Sequence, residues 1–306
     1  MTKNSRREGI RLARELISIA LEDFDTAKHL FGVGRYRWGL IALQQSLEKA
    51  IKAILLSLCI IKTEMSLKKK ISHMATTRIF HLLIEFLENL EKAIEVPKDM
   101  LRQMPGITLA PLETLKRGIE NTKIELSDLS GKAEEIAKKA AVKVFHPVTD
   151  EDREKYEKLE LEIVNFVDQN YDNVNIYELY KVLEALPSEV KTVAAQLINL
   201  VRPGGPYDEL VGILAAFSTW HIVFEYTLSD LRYRALHLDE NTFIVWWGRN
   251  AIQTIDRLNL ISRVDKAVSE LNEDICNLIR SLIQTNRMNR QLGKENPSPK
   301  DHLPGD

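Results

Sequence analysis

The spacing of the apolar residues leaves this chain one broad architecture. From Ala13, the positions Leu16, Ile17, Ala20, Phe24, Ala27 and Phe31 recur at three- and four-residue steps, which lines up one face of an α-helix. "GVG" at 32–34 stops that helix, and a second begins near Tyr36 with Leu40, Leu43, Leu47, Ile51, Ile54 and Leu58 on its face. So short a connection implies an antiparallel helical hairpin. No segment alternates apolar and polar residues between hairpin turns, so the fold class is all-α, built of antiparallel helical bundles.

The breaks fall between further helices. "HLLIEFLENLEKAI" (81–94) is amphipathic, and Pro97, Pro105, Gly106 and Pro111 mark an irregular excursion after it. Helical patterns resume at 112–126 and 131–145. Pro147 breaks the chain, and Thr149 is an N-cap candidate with acids in the following turn. "DQNYDNVN" (168–175) is the best boundary between halves, and "RPGGP" (202–206) separates helices at 176–186 and 188–201 from one that starts near 207. A last helix from about 246 carries Ile261, Val264, Val268, Leu271, Ile275, Leu278 and Leu282 at heptad spacing, which fits either bundle core or a dimer seam. The expected division is 1–170, 171–289 and a disordered tail, 290–306.

A formal charge of −2 excludes a uniformly basic coat for sequence-blind nucleic-acid binding, though not a local basic surface. Cys59 and Cys276 are far apart and both lie in apolar helical patterns. They read as buried small hydrophobes of a reducing compartment, with neither a disulfide framework nor a zinc site suggested. The longest apolar run, "AILLSLCII", is too short to span a bilayer. The expected location is therefore cytoplasmic, without membrane contact. Glu22, Asp23 and Asp25 lack a histidine at metal-binding spacing, and "DLSGKA" lacks the surroundings of a phosphate loop, so no metal or cofactor is expected.

Two stretches carry the functional expectation. "EDFDTAKHLFGVGRYRWGLIALQQSLEKAIKAILL" (22–56) resembles the HEPN family of small helical domains, with Gln44, Gln45, Glu48, Lys49, Lys52 and Ala53 in the order its second helix shows. "RIFHLLIEFL" resembles the helix that follows, His81 standing where that family commonly has a histidine. The resemblance covers roughly residues 10–170. On a helix, Gln44 and Glu48 share a face, as do Glu48 and Lys52, which suits either ligand contact or plain surface pairing. The resemblance implies RNA or nucleotide binding, with Gln44, Glu48, Lys52 and His81 as candidate contacts.

The second stretch, "LRYRALHLDENTFIVWW" (231–247), is similar to the Arg-to-His segment of the family's ribonucleases. Tyr233 stands where asparagine is usual, and Leu238 where glycine is common. The resemblance implies a second, divergent HEPN-like unit in which Arg232 and His237 cleave RNA without a metal, assisted by Arg234 and Tyr233. It further implies a homodimer, a nucleotidyltransferase partner and a place in a toxin–antitoxin or defence system. The N-terminal half has only Lys143 and His146 near that position and reads as non-catalytic.

The chemistry suits the residue types. Histidine exchanges protons near neutral pH, and arginine offers a permanently charged fork to phosphate. Five residues of unbroken helix would turn Arg232 about 140° away from His237, so the helix must end between them or the pair must act across a dimer. Arg234, at i,i+3 to His237, has a rival claim on the phosphate. The opposing class is a non-catalytic, antitoxin-like scaffold that dimerises through 261–282. His221, in "FSTWHIVFEY", reads as a core histidine or as part of a polar pocket beside Trp220. Lys68, Lys69, Lys70 and Arg78 form a basic cluster, and Trp246, Trp247 and Arg249 read as helix-start packing or a base-stacking surface.

Overall fold

The computed structural model describes residues 4–61, 76–93, 110–143, 145–168, 205–233 and 238–271. Among them are eight helices and no strand: α1 (Asn4–Gly32), α2 (Tyr36–Ser57), α3 (Thr76–Ala93), α4 (Ala110–Lys143), α5 (Asp150–Asp168), α6 (Pro206–Tyr233), α7 (Phe243–Arg257) and α8 (Leu260–Glu270). The fold is all-α, as the periodicity requires.

α1 and α2 form the expected hairpin, and their turn is a Schellman motif. Arg35 N–H donates to Leu30 O at 2.8 Å and Gly34 N–H to Phe31 O at 3.2 Å, with Gly34 at φ 73°. α5 starts at a reciprocal capping box. Asp152 N–H donates to Thr149 Oγ1 (3.2 Å), and Thr149 N–H donates back to Asp152 Oδ2 (3.0 Å).

α6 is the central helix. It packs against α2, α3, α4, α5 and α8, and nearly every side chain from Leu210 to Phe224 is buried. A helix apolar on all sides must lie inside. Two of its buried hydroxyls are satisfied within the helix, Thr219 Oγ1 donating to Ala215 O and Thr227 Oγ1 to Val223 O. Buried residues from Ala13 to Val167 and from Tyr207 to Leu271 join in one continuous core.

Two expectations are corrected, and one alternative is decided. The helices expected at 112–126 and 131–145 are one, because Leu126, Leu129, Ala133 and Ala137 keep a buried stripe across Gly131. That packing outweighs a glycine's cost of about 1 kcal/mol in a helix interior. The helix expected from 246 onward breaks at Leu258–Asn259, where Asn259 takes a left-handed φ of 51°, so α7 and α8 are separate. Ile261, Val264, Val268 and Leu271 are buried in the chain's own core, so this half of the heptad stripe is not a free dimer seam. Its other half lies outside the described residues, as do the segments 176–186 and 188–201 and the tail.

Cys59, at φ 60° just past α2, is disulfide-bonded rather than a free buried thiol, which removes the reducing-compartment argument from cysteine usage. Cys276 lies outside the described residues. Among the described residues no helix is long and apolar enough to cross a membrane.

Candidate functional site

The polar face of α2 closes against α6. Gln44, only 3% exposed, lies opposite His221, which is 8% exposed. The Gln44 amide sends one N–H to Glu48 Oε2 (2.9 Å) and sits 3.4 Å from His221 Nε2, while its Oε1 accepts from Gln45 Nε2 (2.7 Å). Turning the amide over would set its oxygen against the Glu48 carboxylate, so the donor side is held toward His221. The imidazole must then accept at Nε2 and be neutral.

Burial agrees: it pushes His221 down to about 4 from its ordinary 6.5, Glu48 partly resisting and Lys52 adding to the fall. Burial alone would favour the neutral acid at Glu48. The Lys52 ammonium, hydrogen-bonded to Glu48 Oε1, and the Gln44 amide outweigh it and hold the carboxyl below its usual range. Lys52 and Glu48 form the seam's edge, with side chains 22% and 29% exposed. Beside them Lys49 pairs with Asp23 of α1.

This seam unites three of the expected contact residues, Gln44, Glu48 and Lys52, with a histidine that periodicity alone marked as core. A neutral imidazole this hard to protonate is poorly matched to proton transfer near pH 7. Gln44 is spent on protein partners. The arrangement therefore acts as a polar brace that fixes α6 on α2. The remaining expected contact, His81, is exposed on α3 outside this set of hydrogen bonds.

The same pairing determines which ends of the helices meet. Cys59 Sγ lies 4.0 Å from Tyr207 Oη and Gln44 lies opposite His221, so α2 and α6 run antiparallel. The C-terminal end of α6 consequently sits at the end of the bundle where the α1–α2 turn lies. Arg232 and Tyr233 are the last two residues of α6, and their side chains lie outside the described set; Arg234 and His237 lie outside the described residues altogether. The chain returns at Leu238 in non-helical form, and "DEN" makes the expected break. Asp239 Oδ1 accepts from Asn241 N–H (2.9 Å) and Thr242 Oγ1 (3.2 Å).

Two devices pin this return. Val148 N–H donates to Asn241 O (2.8 Å) and Phe243 N–H to His146 O (2.9 Å), a short antiparallel bridge. On the other side, Tyr36 Oη donates to Glu240 Oε1 at 2.6 Å, and Arg249 reaches both Glu240 Oε2 and Tyr36 Oη at 3.4 Å. Arg249 also lies over the Tyr36 ring, 5.7 Å from its centroid. Neither Tyr36 nor Glu240 was singled out by the sequence, because residues 204 apart give no local signal.

Trp246 and Trp247 are packing residues, both edge-on to Tyr156 with centroids 5.0 Å away. The cleft lined by Ile136, Lys139, Tyr156, Phe243 and Trp247 has a volume of about 20 Å³, room for about one water and no nucleotide. Of the basic cluster, Arg78 is exposed on α3 and Lys68, Lys69 and Lys70 lie outside the described residues. Among the described residues no group of His, Cys, Asp or Glu is arranged to hold a metal ion.

No curated protein and no solved structure matches the chain. The HEPN domain family model matches residues 13–104, a span that takes in α2, α3 and all of α1 from Ala13. That segment, under a third of the chain, is similar to the HEPN domain family.

Proposed function

We propose that the chain is an RNA- or nucleotide-binding HEPN protein that cleaves RNA without a metal ion through Arg232 and His237. The family match over residues 13–104 is consistent with RNA-related function. The observation that carries the reading is the end of α6. Helix runs through Arg232 to Tyr233 and Leu238 is non-helical, so the helix that carries Arg232 ends before Leu238.

In this reading His237 removes the proton of a ribose 2′-hydroxyl. The freed oxygen attacks phosphorus, and the departing 5′-oxygen takes up a proton as the bond to it breaks. Arg232, with Arg234 as its rival, faces the charge that grows on the phosphorane oxygens. Tyr233 contacts the nucleotide. Gln44, Glu48 and Lys52 act through position, holding the helix that bears Arg232. A homodimer, a nucleotidyltransferase partner and a toxin–antitoxin or defence setting are proposed with it, on the family resemblance alone.

The test is cleavage of a mixed-sequence RNA in EDTA by wild type, Arg232→Ala and His237→Ala. The wild type is expected to cleave, and each variant to lose about a hundredfold or more. No cleavage by the wild type, or equal cleavage by all three, refutes the reading. The rival scaffold reading drew on the stripe at 261–282, and the described part of that stripe is internal core.

A further inference from the structure

We propose that the α1–α2 turn, built from Arg35, Tyr36, Arg37 and Trp38, is a contact surface for single-stranded RNA. The proposal rests on the RNA-binding reading above but not on cleavage by Arg232 and His237.

Four observations converge on the turn. Trp38 is 58% exposed, in a chain whose Trp220 and Trp247 are buried and whose Trp246 is packed on Tyr156. An exposed indole is a stacking face for a base, and its value does not depend on which base stacks. The Arg37 guanidinium lies 5.6 Å from the Trp38 ring centroid, over the ring, and Arg35, two residues before Arg37, is exposed.

The charge is local and of one sign. From Thr26 to Leu47 the chain has three permanent cations, Lys28, Arg35 and Arg37, and no acid, although the whole chain is net −2. Among the described residues, Asp25 and Asp256 pair with Lys28, and Glu240 with Arg249 and Tyr36. A polyanion would meet arginines rather than carboxylates here.

The surface is also held in shape. The Schellman turn fixes the backbone into Arg35. Phe31 meets the Tyr36 ring edge-on at 5.7 Å, while Glu240 and Arg249 hold its hydroxyl. Little ordering is left to be lost on binding. An aromatic face flanked by arginines suits bases and phosphates that alternate along one strand, whereas a duplex hides its base faces.

The experiment measures anisotropy of a fluorescein-labelled oligouridylate of about 12 nucleotides, with the matching duplex and an oligoglutamate peptide as comparison probes. Full-length wild type, Trp38→Ala, Trp38→Phe and an Arg35→Ala/Arg37→Ala pair are compared. Arg35 and Trp38 are exposed and Arg37 is partly buried, and retention of the wild-type melting temperature shows that the variants fold. Trp38→Ala is expected to weaken the single strand about tenfold, and Trp38→Phe, which keeps a stacking face, to restore most of it. The arginine pair should flatten the salt dependence by about 0.7 for each lost phosphate contact.

Absence of single-strand binding by wild type overturns the proposal. So does binding that the Trp38 and arginine substitutions leave unchanged, or a peptide or duplex held as tightly as the single strand. Cleavage in EDTA that survives Trp38→Ala at saturating RNA, or is lost in His237→Ala while binding persists, separates this surface from the proposed catalytic pair.

Discussion

Acid should loosen this protein through His221. The imidazole titrates at its ordinary 6.5 in the unfolded chain and at about 4 in the fold. The unfolded state therefore binds more protons throughout that window. Stability is complete above about pH 7 and falls as pH drops toward 4, the sign required when burial depresses a histidine. Integrated from pH 7 to pH 5, the difference is about 2 kcal/mol, and it approaches about 3 kcal/mol by pH 4.

The charged groups facing His221 do not displace this window. Glu48 is held below its ordinary 4.5 by Lys52, so its own contribution is lost only at lower pH. Lys52 opposes a positive charge on the neighbouring imidazole. The assay is urea unfolding at pH 7 and pH 5, comparing wild type with His221→Gln, whose amide can still pair with Gln44. The wild type should lose about 2 kcal/mol more than the variant between the two pH values. Equal losses would refute the argument, because His221 would then not be buried in neutral form.

Other expectations test the frame around the site. Gly34→Val forces a β-branched residue to φ 73° and should cost about 1–2 kcal/mol in chemical denaturation, with Gly34→Asn milder. Thr149→Ala removes the hydroxyl that caps α5 and should cost about 1 kcal/mol, read as a lower melting temperature. Gln44→Leu leaves Glu48 and His221 without their shared amide and should cost about 1–3 kcal/mol, whereas Gln45→Leu, at the seam's edge, should cost less. Arg263→Lys breaks the two-nitrogen grip of α8 on Glu209 of α6, and hydrogen exchange in α8 should speed up while the rest of the fold keeps its protection.

Local information carried far in this chain. Apolar residues at three- and four-residue steps, the glycines at 32 and 34, and Thr149 with Asp152 announce α1, α2 and the start of α5, because periodicity, turn geometry and capping are decided within a few residues. The HEPN resemblance was legible in "LQQSLEKAIKA" for the same reason. Local rules failed where packing overrode them. Gly131 reads as a stop, yet α4 runs through it on a continuous buried stripe, and the single helix read across 246–282 bends at Asn259 to return α8 to the core.

The polar residues show the division most clearly. Sequence alone determined that Gln44, Glu48 and Lys52 share one face of a helix, that Arg232 stands near a helix end and that "DEN" interrupts the chain. Only the tertiary structure decided that His221, 177 residues from Gln44, closes that face into a buried brace, and that Glu240 returns to Tyr36 beside the exposed Trp38. Helical period specifies where a side chain points on its own element. It does not specify what lies opposite, because that depends on which helices the hydrophobic effect brings together and in which direction they run.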